Sequence, residues 1–79
     1  MSSKKINFGS IGNRLFSLRD SIGNYRERLE KQYGIDSDLE ADKDKAESEE
    51  QYRLLCILES LSIAEAALEE TIEKYYSND

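Results

Sequence analysis

The side chains in this sequence that are best suited to binding a ligand are four arginines in its N-terminal half. They are Arg14, Arg19, Arg26 and Arg28, and Tyr25 stands among them. A guanidinium group presents a planar fork of N–H donors that matches a phosphate or a carboxylate. These residues are therefore candidates for binding a small anion, such as a nucleotide, or an acidic protein. The competing interpretation is that they lie over the apolar stripe of a helix and pair with acids of a second helix.

Residues for acid–base and metal chemistry are scarce. The sequence has no histidine and a single cysteine, Cys56. It therefore lacks the commonest general base, and it cannot form an intrachain disulfide or a cysteine-rich zinc site. It also contains no phosphate-binding glycine loop, calcium loop or nucleophile elbow. We expect a protein that is not an enzyme and that needs no metal or cofactor.

The charge is divided unevenly along the chain. Residues 1–33 hold seven Lys or Arg against three acids, whereas residues 34–79 hold four against fourteen, and the net charge is −6. An acidic chain is a poor binder of duplex nucleic acid, which needs a positive footprint. The acidic half could instead dock onto a basic surface of another protein. No segment resembles a signal peptide or a membrane span, so we expect a cytoplasmic protein without membrane contact.

The composition predicts an all-α protein, because the chain has no proline and only four glycines. The first helix is predicted at residues 10–33, with Ser10 or Asn7 as its cap and Gly34 as its stop. Gly12 and Gly23 are costly in a helix interior, so we expect the backbone of another element to approach them, or a break at Gly23. The apolar residues of this helix follow a heptad: Phe8, Ile11, Leu15, Leu18, Ile22, Tyr25 and Leu29.

A second helix is predicted at residues 50–76, and it is apolar on more than one face. Pairing Leu29 with Leu54 in an antiparallel hairpin buries apolar against apolar along the whole length. This register leaves residues 34–50 as a solvated, charged connector, partly helical at residues 39–46, where Ser37 and Glu40 have capping-box spacing. The seam of the second helix that faces the first is predicted to be Leu54, Ile57, Leu61, Ala64, Leu68, Thr71 and Tyr75.

The surplus apolar residues outside that seam predict self-association. Leu55, Leu58 and Ile63 would remain exposed on a lone hairpin, and exposed apolar patches usually mark interfaces. Together with Tyr52 and Phe16 they form the predicted interface for a second copy or for another protein. We therefore expect residues 1–79 to form one helical domain, an antiparallel two-helix hairpin that assembles as a dimeric four-helix bundle or a higher oligomer of coiled-coil type.

These features favour a non-enzymatic protein-interaction module, a small adaptor or inhibitor that binds a larger protein through either its acidic or its basic helix. The alternative is a binder of a small anionic ligand, held at a subunit interface by the arginines of the first helix and Tyr25. The sequence identifies neither the partner nor the stoichiometry.

Overall fold

The described part of the chain folds as an antiparallel helical hairpin. The computed structural model describes residues 5–76. It contains helix α1 at Phe8–Tyr33, a short helix α2 at Ser37–Ala41, one 3-10 turn at Lys43–Lys45 and helix α3 at Glu49–Tyr76. Residues 5–76 include no strand, which confirms the all-α prediction. The two long helices begin and end within two residues of their predicted bounds.

The ends of α1 are fixed by side chains and by one glycine. The carboxamide oxygen of Asn7 accepts a hydrogen bond from the backbone N–H of Ser10 at 3.0 Å, so Asn7 and not Ser10 is the cap. Gly34 adopts the left-handed conformation, with φ 63° and ψ 39°. The N–H groups of Gly34 and Ile35 both donate to the carbonyl oxygen of Glu30, which closes the helix and turns Ile35 back toward the hairpin.

The two interior glycines of α1 are buried against α3, and the helix runs through Gly23 without a break. A Cβ atom at Gly12 would lie 2.5 Å from Cε1 of Tyr76, and one at Gly23 would lie 2.8 Å from Oε2 of Glu65. The expectation of a close backbone approach is therefore wrong in its detail. Side chains of α3 occupy the space that the missing Cβ atoms leave.

The connector packs against the hairpin, in contrast to the prediction of a solvated segment. Its residue Ile35 is buried with Leu55 and Leu58, and Leu39 and Ala46 pack against this cluster. The cap of the short helix α2 is Asp36, one residue before the predicted cap Ser37, because the Asp36 carboxylate accepts from the N–H of Leu39 at 2.9 Å. The connector thus supplies apolar side chains that close one end of the fold.

Helix α3 is rotated relative to the predicted seam. Leu55 and Leu58 are each only 1% exposed, whereas the predicted seam residues Ile57 and Tyr75 are 51% and 68% exposed. The prediction that Leu55 and Leu58 stay on the surface is wrong, because the connector covers them. Leu29 and Leu54 do pack on the same cluster, as the predicted register requires. Within residues 5–76 the buried apolar side chains are Ile35, Leu55, Leu58 and Ile72.

Candidate interaction face

An open groove lies between α1 and α3 at the end of the hairpin that the connector closes. Tyr25 of α1 and Ile57 of α3 both line it, and both are half-exposed. Its volume is about 520 Å³, and Tyr33 and Arg53 contribute to its wall. The groove therefore places exposed apolar side chains of the two long helices on the same side of the hairpin.

Helical periodicity extends this side along the molecule. Ile11 and Leu18 precede Tyr25 by steps of seven residues, or about two helical turns, and Tyr75 follows Ile57 by five turns at about 3.6 residues per turn. All of these side chains are more than two-fifths exposed. We define the open face as this set: Ile11, Leu18, Tyr25, Tyr33, Ile57 and Tyr75.

The open face differs from the interface predicted from the sequence. Leu55 and Leu58 are core residues, and the direction of Ile63 differs from that of Ile57 by about one-third of a turn around α3. Tyr52 and Phe16 are exposed, but by the same periodicity they also point away from the open face. The heptad of α1 carries the signal for the observed face: its members Ile11, Leu18 and Tyr25, which the predicted register buries, are exposed.

The arginines of α1 do not converge on one site within a chain. Arg19 contacts the carboxylate of Asp20 at 3.2 Å, and its guanidinium lies 5.3 Å from the ring centre of Phe16. Arg14 and Arg28 are exposed, and Tyr25 lines the groove. A site for a small anion built from these residues is therefore not assembled in the described part of a single chain.

Arg26 instead links the two long helices. Its Nη1 lies 3.1 Å from Oε2 of Glu30 on α1, and its Nη2 lies 3.3 Å from Oε1 of Glu65 on α3. Partial burial opposes the charge, but attraction to Glu30 and Glu65 outweighs it and raises the pKa of Arg26. This pairing agrees with the competing interpretation of the arginines. The sequence did not identify which acids surround Arg26, because Glu40 and Glu65 lie far from it along the chain.

Between residues 5 and 76, no three acidic or cysteine side chains are arranged to hold a metal ion. None of the helices in that range combines the length and apolar character needed to cross a bilayer. Comparisons with protein-family models, curated proteins and solved structures gave no significant match. Function must therefore be argued from the open face and the charges around it.

Proposed function

We propose that this protein is a non-enzymatic interaction module, a helical hairpin that pairs with a second copy through its open face and presents an acidic flank to a larger protein. The observation that carries the proposal is the row of exposed apolar side chains along α1, together with Ile57 and Tyr75 of α3, beside a core of very few buried ones. An exposed apolar patch is typical of an interface.

The total exposed surface of the chain supports a second copy as the partner that covers the open face. The chain exposes 6454 Å², whereas a compact monomer of its mass exposes about 4,900 Å². Its radius of gyration is 16.8 Å, against about 12 Å for a compact domain of this length. This surplus of exposed surface follows from the elongated shape of the hairpin, and a standard interface buries roughly 800 Å² of each partner. Two hairpins packed face to face form a four-helix bundle that covers this surplus.

Four of the seven acidic residues of α3 lie away from the open face. At about 3.6 residues per turn these four fall on the opposite flank of the helix, and all four are exposed. Pairing through the open face would leave this flank on the outside of the bundle. A basic surface on a larger protein is the complementary partner. The acidic flank consists of Glu59, Glu69, Glu70 and Glu73.

Self-association is tested with two matched variants of α3. Ile57→Glu places a charge on the open face, and Ile63→Glu places the same charge on the other side, where the side chain is also exposed. Sedimentation velocity at micromolar concentration should give twice the chain mass of 9.1 kDa for the wild type and for Ile63→Glu. Ile57→Glu should sediment as a monomer. A monomeric wild type, or equal behaviour of the two variants, would contradict the proposed face.

Partner binding is tested with the acidic flank neutralised. The wild type and a variant with all four flank glutamates changed to glutamine are used as bait in extracts of the native host. A protein with a basic surface should be captured by the wild type and lost with the glutamine variant. Capture that survives the four changes would rule out the acidic flank as the docking surface.

A further inference from the structure

Three elements meet around the side chain of Arg26. Its guanidinium is bound by Glu30 of α1 and Glu65 of α3, and Glu40 of α2 lies close enough to interact with both Arg26 and Glu30. One positive charge then faces three carboxyl groups, and Asp36 at the start of α2 adds a further negative charge. If all of them were ionised, the excess of negative charge would push α2 away from the long helices.

The surroundings of Glu40 favour its protonated form. Its Oε1 is buried and has no hydrogen-bond partner among the described residues. The neighbouring Glu30 carboxyl, which can accept a hydrogen bond from a protonated Glu40, raises the pKa of Glu40 to about 7 together with partial burial and repulsion by Glu30, although Arg26 opposes the shift. A protonated Glu40 can donate to the Glu30 carboxylate, whereas two ionised carboxylates repel each other.

We propose that Glu30 and Glu40 form a proton-dependent latch, which holds α2 against the hairpin while the pair keeps its proton and releases α2 when the proton leaves. Release of α2 removes Leu39 from the cluster that covers Leu55 and Leu58. The latch therefore couples solution pH to the exposure of the apolar side chains that Leu39 covers.

The direction of the pH effect follows from the two pKa values of Glu40. Its pKa is about 7 in the folded chain and 4.5 when free, so the closed latch binds the proton more tightly than the open one. The free energy by which the protonated latch stabilises the closed state is fully present below about pH 4.5 and is lost as the pH rises through about 7. This difference in pKa allows the equilibrium constant for opening of α2 to change by at most a few hundredfold. Solvent screening at a partly exposed site reduces the expected change to about tenfold.

Hydrogen exchange of α2 measures the opening directly. The N–H groups of Glu40 and Asp42 donate to the carbonyls of Asp36 and Asp38, so their protection reports whether α2 is formed. After correction for the intrinsic rate of exchange, opening in the wild type should rise about tenfold between about pH 5.5 and about pH 8.5.

Two variants separate the latch from general effects of charge. Glu40→Gln retains a donor toward Glu30 but cannot titrate, so its opening should change less than about twofold over the same range. Glu47→Gln, at an exposed position of the connector, should behave as the wild type. A wild type without pH dependence, or a Glu40→Gln variant with the wild-type dependence, would overturn the proposal.

A carboxyl NMR titration of the wild type gives an answer that does not depend on any variant. Glu40 should titrate with a midpoint near 7. A midpoint near the ordinary value of 4.5 would mean that the pair does not share a proton in the folded chain, and the latch would be refuted.

Discussion

Replacing Gly12 by alanine should destabilise this protein, although the same change usually strengthens a helix. Alanine is favoured over glycine in a helix interior by about 1 kcal/mol. At Gly12, however, the new Cβ would lie 2.5 Å from Cε1 and 2.9 Å from Cδ1 of Tyr76. Real Cβ atoms do not approach other carbons so closely, so the tyrosine ring must move or the helices must separate.

The expected loss can be worked out from what the ring contacts. The Tyr76 hydroxyl donates to the carbonyl oxygen of Phe8 at 2.9 Å, and losing a hydrogen bond of this kind costs about 1 kcal/mol. Crowding at a packed contact costs roughly 1–3 kcal/mol. With the gain in helix propensity subtracted, the net loss of unfolding free energy should be about 2 kcal/mol.

Urea denaturation followed by circular dichroism, at one fixed protein concentration, provides the assay. Gly9→Ala is the matched control, because a Cβ at Gly9 would meet only Oδ1 of Asn7, at an ordinary distance of 3.6 Å. The control should be neutral or slightly stabilising. Adding Tyr76→Ala to Gly12→Ala should recover the benefit of alanine in a double-mutant cycle. If Gly12→Ala is as stable as Gly9→Ala, the proposed contact with Tyr76 is not made in solution.

Two further pairs of variants test the core and the Arg26 contacts. Leu58→Ala should lower the unfolding free energy by about 2–4 kcal/mol because Leu58 is buried, whereas Ile63→Ala should lower it by less than about 0.5 kcal/mol. Equal losses in urea denaturation would mean that α3 is rotated differently against α1. Arg26→Ala should cost about 1–2 kcal/mol by leaving two carboxylates unpaired, while Arg28→Ala at an exposed site should be nearly neutral. Similar thermal stabilities for these two arginine variants would show that the guanidinium bridge contributes nothing.

The sequence contained enough information for the hairpin and its helix bounds. The heptad of α1 and the left-handed turn at Gly34 are local features, and local features are set by nearby residues. The rotation of α3 could not be derived in the same way. Leu54, Leu55, Ile57 and Leu58 point in different directions around the helix, so the pattern offers more than one seam. The choice among them depends on what the connector covers.

The packing of the connector could not be predicted, because its apolar residues follow no helical period. Ile35, Leu39 and Ala46 stand singly among charged residues, which is the usual pattern of a solvated segment. The turn at Gly34 places Ile35 in the core cluster, and Leu39 and Ala46 pack against that cluster. The carboxyl groups around Arg26 were missed for a related reason, since Glu40 and Glu65 are distant from Arg26 in sequence. Contacts between distant residues have no local signature in a single chain.

The hydrogen bond between Tyr76 and Phe8 has a consequence for engineering the molecule. It holds the last turn of α3 beside the first turn of α1, at the end of the hairpin opposite the connector. A circularly permuted chain, in which a short glycine linker joins α3 to α1 and the polypeptide is opened within residues 42–48, should therefore keep the antiparallel pairing of the two helices. Such a permutant would place new chain ends beside α2 and carry reporter groups next to the segment that covers Leu55.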